Sequence, residues 1–184
     1  LDSGSSYVVA VQTQPSAPTQ TCTVANATGA VGSANVTDVD VTCTTNTYTI
    51  GGSVSGITGT GLVLSLNAGA QTLPVGANGT FTFPTAITSG SSYAVTVQTQ
   101  PTGPTQSCTV ASGSGTVGGV DVTNVTVTCA TNTYSVGGSV SGLAGTGLVL
   151  SLNAGAQTLP VAANGTFTFP TALASASSYA VTVQ

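Results

Sequence analysis

Four cysteines and four aspartates are the residues through which this 184-residue chain could do chemistry beyond its hydroxyls, because Lys, Arg and His are all absent. Asp38 and Asp40 share one face of a candidate strand, where paired carboxylates could work as an acid–base dyad or hold Ca²⁺. The chain repeats itself with a period of about 86 residues: Tyr7, Tyr93 and Tyr179 fall in the same phase, as do Cys22 and Cys108, and Cys43 and Cys129. In the next copy Asn124 and Thr126 stand where Asp38 and Asp40 stood, and Asp121 takes the place of Asn35. A site built into every unit would repeat, so these aspartates read as solvated strand residues, with Asp38 and Asp40 the weak Ca²⁺ candidates. A serine nucleophile has no imidazole to activate it. The expectation is a chain that performs no catalysis and needs no cofactor.

The cysteines do recur in register. With no His and no CxxC pair, one unit offers too few zinc ligands. Paired cysteines of this kind read as structural disulfides and imply an oxidising compartment. Cys108 and Cys129 are equidistant from Gly118-Gly119, and Cys22 and Cys43 are centred on Gly32-Ser33. A hairpin turning at those points would bring each pair together at its open end, predicting Cys22–Cys43 and Cys108–Cys129 bonds. Each would close a ring of about 20 residues, contributing about 3 kcal/mol through chain entropy. Ser112-Gly-Ser-Gly115 is where such long strands could bulge. Spacing alone leaves open whether the bridge staples one hairpin or links two sheets.

The elements that must carry these residues are strands. Hydrophobic content of 40% is enough for a core, and it is supplied by Val, Leu, Ile, Tyr and Phe, which suit a pleated surface, whereas helix formers are scarce. Tyr48–Val54 reads as a first strand with Tyr48, Ile50 and Val54 on one face. Leu62, Leu64 and Leu66 point inward from a second, with Ser65 outward. Gln71–Val75 and Thr80–Phe83 are joined across the turn signal Asn78-Gly79, and Phe81 and Phe83 face the core. Tyr93, Val95 and Val97 alternate with Ala94, Thr96 and Gln98 until Pro101 and Pro104. The fold class is all-β.

Charge excludes several functions. Without Lys or Arg the chain cannot neutralise nucleic-acid phosphates or anionic lipid, and no apolar run approaches the roughly 18 residues of a membrane span. Asn-X-Thr triplets at Asn26, Asn35, Asn78, Asn124 and Asn164 are weak glycosylation candidates in so Thr-rich a sequence. Exposed Thr rows such as Val125-Thr-Val-Thr128 raise ice binding as a minor alternative, although β propensity alone places Thr there.

Seven short strands in about 86 residues resemble the bacterial immunoglobulin-like repeats of large secreted adhesins and surface fibres. The resemblance covers the whole chain and rests on Tyr-Ser-Val-Gly-Gly-Ser-Val-Ser-Gly (134–142), Gly-Leu-Val-Leu (147–150), Asn-Gly-Thr-Phe-Thr-Phe (164–169), Tyr-Ala-Val-Thr-Val (179–183) and Val-Thr-Asn-Val-Thr-Val-Thr-Cys (122–129). It implies tandem immunoglobulin-like (Greek-key) β-sandwich modules in a passive, extended, extracellular array. Antibody domains bridge distant strands over a Trp; this chain has no Trp and its Cys pairs are close in sequence.

Residues 1–43 then read as the C-terminal part of one unit, 44–129 as a complete unit, and 130–184 as the N-terminal part of the next. Leu1–Gln12 and Leu173–Gln184 fall in the same phase. The terminal parts are expected to be a window on a longer array, or ends that neighbouring copies complete. The expected function is structural: a secreted, cell-surface fibre or adhesin stalk whose partners are copies of itself, with no nucleic acid and no membrane insertion. The alternative is a carbohydrate- or surface-binding module.

Overall fold

The computed structural model describes residues 1–184 and contains strands and no helix. The first segment holds β1 (Ser6–Val8), β2 (Gln20–Ala25), β3 (Thr28–Ala30) and β4 (Asp40–Thr45). The central segment holds β5 (Thr47–Tyr48), β6 (Ile50–Ser55), β7 (Leu62–Leu66), β8 (Gln71–Val75), β9 (Gly79–Thr82), β10 (Ile87–Thr88), β11 (Ser92–Thr99), β12 (Gln106–Ala111), β13 (Ser114–Thr116) and β14 (Val122–Thr131). The last segment holds β15 (Thr133–Tyr134), β16 (Gly137–Val140), β17 (Leu148–Leu152), β18 (Gln157–Val161), β19 (Gly165–Thr168), β20 (Leu173–Ala174) and β21 (Val181–Val183).

The central segment is a sandwich of two four-stranded sheets, ordered β12-β14-β6-β9 and β13-β11-β7-β8. Alternation builds its core. Ile50, Val54, Phe81, Val125 and Val127 enter from the first sheet, and Leu62, Leu64, Leu66, Tyr93 and Val95 from the second, within one cluster of 15 buried residues. Phe81 and Phe83 pack edge to face with centroids 6.0 Å apart. Ser65 points away from that cluster yet is only 4% exposed, because its strand lies between β8 and β11.

The unit's first and last long strands, β6 and β14, pair in parallel, with Val125 opposite Gly52 and Val127 opposite Val54. That pairing needs Gly52, since a Cβ there would collide with the carbonyl of Val125. The register slips between Val122 and Val125, a bulge that lets β14 bend along its partner.

Three details differ from the sequence expectation. Tyr48–Val54 is broken at Thr49: β5 pairs with β10, whereas β6 pairs with β9 and β14. The break is held by Asp121, whose carboxylate accepts the Thr49 N–H at 2.7 Å. The Asn78-Gly79 turn does not make a hairpin, because β8 and β9 lie in opposite sheets. The tight hairpin in this region is β7–β8, turned by Asn67, Ala68 and Gly69 at φ of 51°, 54° and 95°. Finally, Gly118-Gly119 is not a two-residue turn. After Ala111 the chain crosses to the other sheet, adds β13 to β11, and returns as β14. Ser112, at φ 53°, starts the crossing inside the stretch expected to bulge.

The flanking segments use the same pairings. β2–β4 repeats the register of β12–β14, β17–β18 that of β7–β8, and β16–β19 that of β6–β9. Around Leu150, Leu152 and Phe169 a three-residue core persists in the last segment.

Candidate functional site

Cys108 and Cys129 face each other across β12 and β14 and are bonded, as are Cys22 and Cys43 across β2 and β4. Both cysteines of each pair sit on adjacent antiparallel strands of one sheet, so the bridge ties neighbouring strands and does not link sheets. The ladder position explains the geometry. The N–H of Cys108 donates to Gln100 Oε1 at 2.7 Å and its carbonyl accepts from Gln100 Nε2 at 3.1 Å, so both groups point away from β14. Directly opposed residues whose backbones do not bond each other bring their side chains closest. The Gln100 amide also covers part of the outer edge of β12, an edge strand otherwise open to another chain. Gln14 does the same for Cys22, at 2.7 and 3.1 Å. The two disulfides suit an oxidising environment, and no helix is long and apolar enough to cross a membrane.

One buried polar side chain that the sequence reading passed over holds the central sandwich shut. Gln106 is 2% exposed and uses its whole amide. Its Oε1 accepts from the N–H groups of Thr58 and Gly59 at 2.9 and 2.8 Å, and its Nε2 donates to Gly56 O and Thr131 Oγ1 at 2.8 and 3.3 Å. The loop after β6 is thereby tied to β12 and β14. The equivalent Gln20 reaches only Thr45 Oγ1, at 3.1 Å.

The junction between segments is the other built feature, and it occurs twice. At the first, the Thr19 N–H donates to Ser89 Oγ at 3.0 Å, and the Ser89 hydroxyl donates onward to Gly118 O at 2.8 Å. Thr19 Oγ1 and the Tyr48 hydroxyl share a hydrogen bond of 3.1 Å. Asn46, in the linker, donates its N–H to Thr19 O and accepts from the Ser89 N–H, at 3.0 and 2.9 Å. At the second, Thr105, Ser175, Tyr134 and Asn132 repeat these bonds apart from the serine's onward one, with Thr105 N–H to Ser175 Oγ at 2.9 Å and Thr105 Oγ1 to the Tyr134 hydroxyl at 3.0 Å, and Thr105 Oγ1 also donates to Ser175 Oγ at 2.9 Å. The side chains of Thr105 and Asn132 hold the Tyr134 phenol below the ordinary tyrosine pKa, in that order of effect. An open cleft of about 330 Å³ beside the first junction is lined by Ser16, Ala17 and Pro18 on one side and Ser89, Gly90 and Val117 on the other. It holds no carboxylate, thiol or imidazole.

The remaining sequence candidates stay apart. Asp38 and Asp40 are exposed, Asp38 offering its backbone carbonyl to Asn26 Nδ2 at 2.7 Å. No three His, Cys, Asp or Glu side chains come together. Of the five Asn-X-Thr asparagines, Asn78 and Asn164 spend their amides on Ile57 and Leu143, and Asn26 is committed to Asp38. Asn35 and Asn124 are exposed, Asn124 at the bulge of β14. Thr126 and Thr128 lie on the exposed face of β14 beside Ser53 and Ser55. Tyr134 and Tyr179 are the exposed aromatics, at 55% and 65%. Comparison of the chain with protein-family models, curated proteins and solved structures gave no match.

Proposed function

We propose that this chain is a structural extracellular repeat protein, a stretch of fibre or of the stalk of a large adhesin, built from immunoglobulin-like units of about 86 residues and performing no catalysis. The observation that carries this reading is the twice-made junction: Thr19, Tyr48 and Ser89 at one boundary and Thr105, Tyr134 and Ser175 at the next form the same hydrogen bonds. Units joined by one recurring geometry propagate in one direction, which is what a stalk requires. The disulfides favour an oxidising setting at the cell surface or beyond. A chain without Lys or Arg presents no cleavage site to trypsin-like proteases, an advantage for an exposed fibre.

The alternative, a carbohydrate- or surface-binding module, asks for a recognition platform. The two exposed tyrosines do not supply one, because Tyr134 is engaged by Thr105 and Tyr179 lies against an apolar cleft with Val136 and Leu173. The Thr and Ser side chains of β14 and β6 keep ice binding as a minor reading. Small-angle scattering and electron microscopy test the proposal: a stiff elongated particle with fixed angles between units supports it. Freely hinged units together with measurable glycan affinity would replace it with the binding reading.

A further inference from the structure

Tension along a chain of joined units passes through each unit in series. It reaches the central sandwich at Asn46, just before β5, and leaves it at Asn132, just after β14. The first long strand after entry is β6 and the last before exit is β14, and these two pair directly and in parallel. In a parallel pair the start of one strand and the end of the other lie at opposite ends of the ladder. Pulling on the start of β6 and the end of β14 therefore slides the strands along each other. The five registered pairs from Val122–Ile50 to Thr128–Ser55 resist that sliding together. A pair pulled apart from a shared end breaks one bond at a time instead.

Both ends of this ladder are reinforced. At the entry end, the start of β14 holds both backbone groups of Thr49. Its N–H donates to the Asp121 carboxylate at 2.7 Å, and its carbonyl accepts from the Val122 N–H at 2.9 Å. At the exit end, Gln106 Nε2 donates to Gly56 O at 2.8 Å and to Thr131 Oγ1 at 3.3 Å, which ties the residue after β6 to the last residue of β14. Gly56 allows the same close approach as Gly52, since a Cβ on it would collide with the Cys129 carbonyl. Ile50, Val54, Val125 and Val127 are buried along the pair and keep water from one face of its hydrogen bonds.

The Cys108–Cys129 bond lies beside this ladder and not across it. Once β6 slides free, the stretched path runs along the backbone to Cys108, through the two sulfurs, and out from Cys129. Residues 109–128 stay inside the ring and carry no tension. Cys108 and Cys129 are 5% and 6% exposed, so a dissolved thiol meets the bond only after the sandwich has opened.

We propose that the central unit is built to resist end-to-end tension, with the β6–β14 pair as the element that yields and the Cys108–Cys129 bond as the limit on how far the unit then lengthens. The inference deepens the stalk reading and rests on it for the source of the tension.

Single-molecule stretching of the 184-residue polypeptide tests this. Handles at its two ends load the β6–β14 pair in shear. Handles on azide-bearing residues replacing Ser55 and Thr128, which are opposed and exposed, peel the same two strands apart from one end. At equal pulling speed the rupture force is expected to be about threefold or more higher end to end, because forced unfolding follows the unfolding barrier along the pulled direction. Cys108→Ala together with Cys129→Ala is expected to lengthen the chain released at that rupture by about 70 Å, the contour of residues 109–128. Equal rupture forces in the two directions overturn the shear pair, and an unchanged released length overturns the limit set by the disulfide. Either result leaves the stalk reading standing, because that reading is tested by the angles between units. Hinged units with glycan affinity would overturn the stalk reading and leave the rupture forces as they are.

Discussion

Gln106 and Gln20 occupy the same phase in nearly the same local sequence, yet one is buried with four partners and the other has one. A buried amide is costly to remove when its partners stay behind unpaired. Gln106→Leu is expected to lower the stability of the central sandwich by about 3 kcal/mol in denaturant titration, while Gln20→Leu in dilute protein changes it little. Tyr134 carries the second residue-scale expectation. Its phenol is held below the ordinary tyrosine pKa first by Thr105 and then by Asn132. Thr105→Val should move its ionisation upward in a spectrophotometric titration. A folded value below the unfolded one means that ionisation favours the folded junction. That contribution is present above the unfolded pKa and is lost as pH falls through the folded one. Nothing in the sequence separates Gln106 from a surface glutamine, because its four partners come from the loop after β6 and from β14, both distant along the chain.

At the scale of elements, the disulfide-tied pair β12 and β14 supplies one side of the first sheet, and the chain between them reaches into the opposite sheet through β13. The Cys108–Cys129 bond restricts the unfolded chain by closing a ring of about 20 residues. Replacing both cysteines with Ala is expected to cost about 3 kcal/mol in equilibrium unfolding, with the fold retained. The pairing of these cysteines was legible from equal spacing about a glycine pair. The path between them was not. A symmetrical stretch with Gly at its middle is equally compatible with a long hairpin and with a crossing between sheets. Which one forms depends on β11 offering an unpaired edge to Ser114–Thr116. The break at Thr49 was hidden for the same reason, since alternation continues through it while the partner strand changes.

At the scale of the molecule, the junctions decide how the central sandwich is held to the segments on either side of it. Each joins a cis-proline loop (Pro18 in one, Pro104 in the other) to the next unit through Thr19 or Thr105. Ser89→Ala removes both the acceptor for the Thr19 N–H and the donor to Gly118 O. Scattering should then show a broader distribution of maximum dimensions than the unaltered chain, with the melting of the central sandwich little changed. An unaltered distribution would mean that packing along the cleft beside Pro18, and not the hydrogen bonds, sets the angle.

The sequence by itself determined the all-β class, the near-exact recurrence of the strands, the pairing of the cysteines, and the absence of cationic and imidazole chemistry. These follow from local alternation, composition and spacing, which a single chain displays directly. Only the tertiary structure decided that β6 and β14 run in parallel past Gly52, that the disulfide lies within one sheet, and that Asp121 caps the break at Thr49. It also decided that Gln106 is buried with its whole amide satisfied. Burial and strand pairing are properties of what packs across the sandwich from elsewhere in the chain, which local alternation and spacing do not display.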